Sequence, residues 1–193
     1  TGMKWSFMPP LDKAGGPRYL CVNADEMEPG AFKDRFLMEG DPHLLLEGVI
    51  AGAYAIQADT AYIFLRWDYK KAAALLRKAI GEAYQAGYLG AKILGAGYGL
   101  DIHLHVSAGR YLCGEETGLL NSLESKRANP RSKPPFPAAS GLFGRPTTVD
   151  NVETLCCVPA IINDGPQAFL QLSRTTEGGT KIYGMSGKVK RPG

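Results

Sequence analysis

No apolar run in this chain approaches the roughly 18 residues that a membrane-spanning helix needs, and no signal-peptide pattern stands at its start. Charge of one sign is not in excess either. The 22 basic and 19 acidic residues leave a net charge of +3, too small to argue for nucleic acid or a membrane surface as partner. Cysteine is sparse. Cys21, Cys113, Cys156 and Cys157 form no Cys-x-x-Cys, and no histidine pair stands beside them at metal spacing, so no metal site is expected within the segment. Cys21 and Cys113 lie in apolar, strand-like runs and read as small buried hydrophobes with reduced thiols. Also missing are a nucleophile elbow, a Walker lysine and a Gly-x-Gly-x-x-Gly. Those absences remove serine acyl transfer and P-loop phosphoryl transfer. They leave hydride transfer between bound cofactors, where the protein supplies orientation and electrostatics.

What is present is an ordinary soluble composition, 45% apolar and 21% charged, in 193 residues. That length buries one substantial core with the start of another. Neither end reads as a natural terminus, so the chain is expected to be a segment. Residues 18–23 form an apolar run ending in turn-formers, read as a strand. A short helix is expected over 32–39. Asp41-Pro42 supplies an N-cap and a first-turn proline for a nearly all-apolar helix to about 57. A β-branched and aromatic strand follows at 60–66, then an amphipathic helix over 69–86 with Leu76, Ala79, Ile80 and Ala83 on one face. Residues 101–107 alternate with a period of two, which puts His103 and His105 on one more exposed face, without a third ligand. Residues 129–146 read as a long Pro- and Gly-rich loop, 151–163 as a helix, and 180–190 as a fresh strand pair. The alternation of strand and helix predicts an α/β fold with a mainly parallel sheet over 1–174, followed at 175–193 by a linker and the first strands of a second, β-rich domain.

Two acidic stretches follow apolar runs. Asn23-Ala24-Asp25-Glu26-Met27-Glu28-Pro29-Gly30 places three acids and an amide directly after a strand. Read alone it is also a plain polar turn, but strand-end carboxylates can accept ribose or ribityl hydroxyls. Arg110-Tyr111-Leu112-Cys113-Gly114-Glu115-Glu116-Thr117 reads as a strand end, a glycine, and two acids in the first turn of an amphipathic helix, where the macrodipole favours them. Both runs are expected at the C-terminal edge of a parallel sheet, where open α/β folds bind ligands. Lys4 offers a cation for a phosphate or an electron-rich ring. Phe7, and Phe136 between prolines, are either stacking surfaces for a planar ligand or core aromatics.

These residues carry a resemblance. The runs 1–7, 23–30, Lys33-Asp34-Arg35, 111–117, Arg127-Ala128-Asn129-Pro130-Arg131, 133–137 and Asn151-Val152-Glu153-Thr154 resemble, in order, the FMN- and NADH-binding subunit of respiratory complex I. The same module occurs in the diaphorase subunits of NAD-linked hydrogenases and formate dehydrogenases. The resemblance implies a Rossmann-like FMN-binding domain, then a ubiquitin-like one. It implies FMN contacts from Lys4, Asn23, Asp25, Gly114, Glu115 and Asn151. NADH contacts would come from Phe7, Glu28, Tyr111, Glu116, Phe136 and Thr148, with electrostatic support from Glu28 and Glu115 and no catalytic side chain. A glycine-rich loop before Thr1 and a four-cysteine [4Fe–4S] site beyond Gly193 are implied as well. So are peripheral-arm partners, among them a thioredoxin-like iron–sulfur subunit, and a place on the inner face of the bacterial membrane without insertion. One departure stands out: Asp150 occupies a position where that family usually has asparagine, and its carboxylate either weakens a flavin phosphate contact or is harmless by pointing outward. A module that keeps the fold and has lost the flavin is the reading of another class.

Overall fold

The computed structural model describes residues 2–176 and 178–193; Thr1, the first residue of the N-terminal motif, and Glu177, in the expected linker, lie outside them. In chain order the elements are α1 (Gly2–Ser6), α2 (Leu11–Ala14), β1 (Tyr19–Ala24), α3 (Lys33–Gly40), α4 (Pro42–Ile56), β2 (Thr60–Leu65), α5 (Lys70–Gln85) and β3 (Asp101–Val106). They continue with α6 (Glu116–Leu123), α7 (Pro137–Ser140), β4 (Thr147–Asn151), α8 (Val152–Asp164) and α9 (Pro166–Gln171). The four strands form one parallel sheet in the order β3-β2-β1-β4.

That order has a consequence for where the helices lie. From β1 to β3 the chain moves steadily across the sheet, and α3, α4 and α5 cover one face. To reach β4 it must reverse and pass to the far side of β1. A right-handed crossover in the reversed direction has to run over the opposite face, which is where α6 packs. Two cores result. Leu20, Val22, Ala61, Ile63 and Ile102 face α3, α4, α5 and α8. Cys21, Phe64 and Val149 face Leu119 and Leu120 of α6 and Leu142. The period of two along each strand assigns its side chains to one core or the other.

Helix α4 begins as its sequence predicts, with the Asp41 carboxylate accepting the Leu44 N–H at 3.0 Å and Pro42 in the first turn. It owes its depth to glycine. A Cβ on Gly48 would sit 2.0 Å from the Leu155 carbonyl oxygen of α8, so only hydrogen fits where the two helices cross.

Three expectations need correction. Tyr111–Gly114 is a 3-10 turn and not a strand end. β3 pairs only with β2, whose ladder closes at the Ser107 N–H to Leu65 carbonyl bond, so the later residues satisfy themselves locally, Cys113 to Arg110 and Glu115 to Leu112. Cys113 is therefore buried in a turn. The run 129–146 is not wholly a loop: Pro137 opens α7 and Leu142–Gly144 adds a 3-10 turn. Residues 180–190 form no strands; Met185 and Gly193 exchange two backbone bonds, and the Ile182 N–H is taken by the Glu153 carboxylate at 2.9 Å.

His103 and His105 do share a face, and both have aromatic neighbours: His103 leans on Tyr62 and His105 stacks on Phe64 with ring centroids 5.1 Å apart. No group of three or more metal-capable side chains, and no helix long and apolar enough to cross a membrane, occurs among the described residues.

Gly48→Ala is expected to cost about 3 kcal/mol, because the added methyl meets backbone that cannot move aside. Gly81→Ala, on α5 with nothing within 4 Å of the new Cβ, should gain up to about 1 kcal/mol. Urea denaturation of the two variants checks both signs.

Candidate functional site

Reversal of the chain between β3 and β4 opens a crevice at the C-terminal ends of β1 and β4, the switch point at which open α/β sheets bind ligands. Asn23 of β1 stands in register with Asn151 of β4 there. The 111–114 turn closes over the crevice through a hydrogen bond from the Asn23 amide Nδ2 to the Gly114 carbonyl at 2.9 Å, with Tyr111 donating to Glu28 across the mouth. The two acidic turns therefore do converge. Their junction divides the crevice into a larger lobe of about 450 Å³ and a smaller one of about 350 Å³, which share Asn23, Gly114 and Asn151 as walls.

The larger lobe is strongly acidic. Asp25, Glu26, Glu28, Asp34 and Glu115 line it against a single cation, Lys33. Most of these carboxylates already have structural work. Glu26 reaches the start of α3, accepting the Asp34 and Arg35 N–H groups at 3.4 and 3.3 Å and the Tyr69 hydroxyl at 3.0 Å. It supplies the cap that Phe32 cannot. Glu115 caps α6 with one oxygen, which accepts the Thr117 and Gly118 N–H groups at 2.8 and 2.9 Å and the Thr117 hydroxyl. Burial pushes the Glu115 carboxyl up, but the Thr117 and Gly118 donors outweigh it and hold the pKa below the ordinary range. The other oxygen stays on the crevice side, 3.5 Å from Lys133. Glu28 accepts the Tyr111 hydroxyl across the mouth.

Asp25 is different. Only 3% exposed, it accepts the Ser107 hydroxyl at 3.2 Å with one oxygen, while the other is buried with no hydrogen-bond partner among the described residues. Desolvation pushes its pKa up to about 6. A buried carboxylate oxygen without a donor costs free energy unless a ligand brings one.

Around the smaller lobe the charges balance. Glu116, the first residue of α6, lies between Lys4 at 3.2 Å and Lys133 at 2.5 Å. Burial raises the Glu116 carboxyl, and the two ammonium groups more than reverse that, so its pKa lies below the ordinary value. Lys4 also donates to the Val149 carbonyl, which docks α1 across the end of β4. Asp150 turns toward α1, where the Trp5 indole donates to it at 2.7 Å, and desolvation raises its pKa. The carboxylate is thus sequestered beside Trp5, although the residue still borders the lobe.

Asn151 is fully engaged. Its oxygen accepts Lys33 at 3.0 Å and caps α8 through the Glu153 N–H at 3.0 Å; its amide donates to Asp34 at 2.8 Å. Lys33 in turn holds Asp34 at 2.6 Å and Glu153 at 3.2 Å. Burial works against that ammonium, and the two carboxylates outweigh it, raising its pKa.

Of the residues singled out in the sequence, Lys4, Asn23, Asp25, Glu28, Tyr111, Gly114, Glu115, Glu116 and Asn151 border the crevice. Phe7 and Phe136 border neither lobe and stand 66% and 61% exposed, while Thr148 is buried inside β4 with its hydroxyl unpaired. Glu26 was singled out only as one of three acids in its turn, and sequence reasoning passed over Lys33, Lys133 and Thr154. Lys33, Lys133 and Thr154 lay inside the family motifs, but only the fold shows that they reach the crevice or the acids around it.

The family model for the Nuo51 FMN-binding domain matches residues 1–160. An NADH-quinone oxidoreductase subunit of Escherichia coli is 57% identical over the whole chain, which covers 43% of that relative. The mitochondrial NADH dehydrogenase [ubiquinone] flavoprotein 1 of Dictyostelium discoideum is 47% identical, and the chain covers 40% of it. Among solved structures, an NAD+-reducing [NiFe]-hydrogenase in its H2-reduced state superposes with a TM-score of 0.84 at 38% identity, over all of this chain and 32% of that one. The chain thus spans less than half the length of these relatives.

For Asp25, the folded pKa of about 6 lies above the unfolded value. The native state therefore binds the extra proton, and the residue's cost to stability grows as pH rises from about 4 to 6. Asp25→Asn should remove that slope and raise stability above pH 6 by on the order of 2 kcal/mol in ligand-free protein. Unfolding midpoints measured from pH 4 to 8 on both proteins test the sign.

Proposed function

The chain belongs to the Nuo51 FMN-binding-domain family, and from that premise we propose that it is the flavin- and NADH-binding part of an NADH:quinone oxidoreductase. In this reading the crevice at the switch point holds FMN and presents it to NADH. The observation that carries the reading is the junction of the two acidic turns at Asn23 and Gly114, with one buried Asp25 oxygen left for a ligand donor. A ribityl hydroxyl or a flavin ring N–H is a donor of the kind that oxygen lacks.

When bound, FMN supplies a group that accepts a hydride from NADH and releases electrons singly. The residues of the chain bind and orient. Asp25 and the crevice-side oxygen of Glu115, which Lys133 approaches at 3.5 Å, accept hydrogen bonds from the flavin, and the Gly114 backbone lies open beside them. Asn23 keeps one N–H and one lone pair after bonding Gly114 and Asp25. Asn151, already saturated, fixes Lys33 beside the larger lobe. Lys4 stands where a phosphate or an electron-rich ring needs a cation. Glu28, Tyr111 and Glu116 face the dinucleotide, joined by Lys133, with Phe7, Phe136 and Thr148 assigned there by resemblance.

The wider assignment is part of the proposal and follows the family resemblance of the motifs. Electrons leave to iron–sulfur clusters of other peripheral-arm subunits, a thioredoxin-like one among them, and a [4Fe–4S] site belongs to the rest of the protein. The assembly sits peripherally on the inner face of the bacterial membrane. A diaphorase subunit of an NAD+-reducing hydrogenase is the second reading, favoured by the structural likeness but at 38% identity against 57% for the quinone-linked relative. Co-purification with quinone-reducing membrane subunits or with a hydrogenase large chain separates the two.

The full-length protein is expected to be yellow and to bleach when NADH is added without oxygen; a colourless protein refutes the flavin reading. Glu116→Gln leaves Lys4 without its carboxylate and Lys133 with Glu115 alone, so the site changes from one that resists the extra phosphate of NADPH to one that attracts it. The NADPH-to-NADH ratio of kcat/KM should rise about tenfold or more. An unchanged ratio would remove Glu116 from the dinucleotide side.

A further inference from the structure

Next to the 111–114 turn lies a separate cavity of about 530 Å³, and Leu112 forms a wall of both it and the acidic lobe. Its polar lining is of the opposite sign: Arg110, Lys126 and Arg127, with Ser122 and Asn129 as neutral donors and no acid. Lys126 is paired with Glu124 at 2.6 Å. The guanidinium groups of Arg110 and Arg127 form no ion pair among the described residues, although Arg131 and Lys133 nearby are both paired.

Helix capping does not account for these charges. Cations near the end of α6 would be favourable if its last carbonyls were unsatisfied. Here the carbonyls of Leu120, Asn121 and Ser122 are taken by the backbone N–H groups of Glu124, Lys126 and Ser125. Two guanidinium forks facing one concavity, with hydroxyl and amide donors beside them, match the oxygens of a dianion. We propose that this cavity binds the phosphate group of a small molecule, at a site separate from the flavin crevice. The volume exceeds what one phosphate fills, and Leu112, Ala108 and Ala128 give apolar surface for the remainder of a phosphate ester. Through Leu112 an occupant would steady the turn that presents Tyr111 and Gly114.

The test is titration calorimetry on the full-length protein at constant ionic strength, with inorganic phosphate and a sugar phosphate as probes. Saturable binding of either at one equivalent is expected, weakened tenfold or more in Arg110→Gln/Arg127→Gln and unchanged in Lys92→Gln, an exposed cation elsewhere. Tighter binding of the sugar phosphate makes an ester the occupant; equal binding makes it free phosphate. Arg127→Glu, a charge reversal at an exposed position, should abolish binding while the melting temperature holds. No saturable heat with either probe, or equal affinity in the double variant, overturns the proposal. Loss of flavin from the double variant would overturn the separateness of the two sites, whereas a colourless parent protein bears only on the flavin reading.

Discussion

The order β3-β2-β1-β4 is the constraint on which the site depends. Three strands laid down in one direction and a fourth added on the other side force the last crossover onto the opposite face. The strand ends at β1 and β4 are thereby left without a helix closing over them. Everything that borders the crevice arrives by a consequence of that reversal. Asn23 and Asn151 come into register, α6 crosses beneath, and the turn that precedes it is drawn to Asn23 by a single amide-to-carbonyl bond. A sheet built in simple sequential order would have no such opening.

Charge in the crevice is arranged by competition between burial and capping. Glu26 and Glu115 are acids in a concentrated acidic region, yet each is held by backbone N–H groups at the start of a helix, where the dipole favours negative charge. Asp34 and Glu153 share Lys33, and Glu116 lies between Lys4 and Lys133. Asp25 is the exception, buried and half satisfied. In a protein whose other crevice acids are so fully used, that one open oxygen is the strongest local sign of a missing partner. The acid at position 150 is handled in another way: Asp150 is bonded by Trp5, so a charge that threatened the site is directed away from it.

Much of this was legible in residues alone. The α/β class, the parallel sheet, the cap and proline of α4 and the buried face of α5 follow from local rules with short range: period, propensity and capping. The acidic turns were visible as runs, and their meeting at a sheet edge was a correct inference from fold class. Where reading the sequence failed, a non-local partner was absent or unexpected. The 111–114 segment is apolar enough for a strand but has no neighbouring strand to pair with. Near the C-terminal end the Ile182 N–H is taken by the Glu153 carboxylate. What the sequence could not show is how Asn23 and Asn151 are engaged: Asn23 holds the Gly114 carbonyl and the Asp25 N–H, and Asn151 caps α8 and bonds Lys33 and Asp34.

By itself the sequence determined the identity of the strands of the sheet and the longer helices, the sign and rough location of the charged turns, and, through long ordered motifs, the family. These depend on intervals of a few residues, or on whole-chain likeness. Only the tertiary structure decided which acids are spent and which oxygen is free, that Lys33 lines the crevice and Lys133 pairs with the acids beside it, and that Phe7, Phe136 and Thr148 do not border it. Those outcomes rest on hydrogen bonds and ion pairs between residues often more than a hundred positions apart, such as Lys4 with Glu116 and Asn151 with Asp34. No local pattern encodes such pairs, because the distance that matters to them is set by the crossing of the chain and not by its spacing.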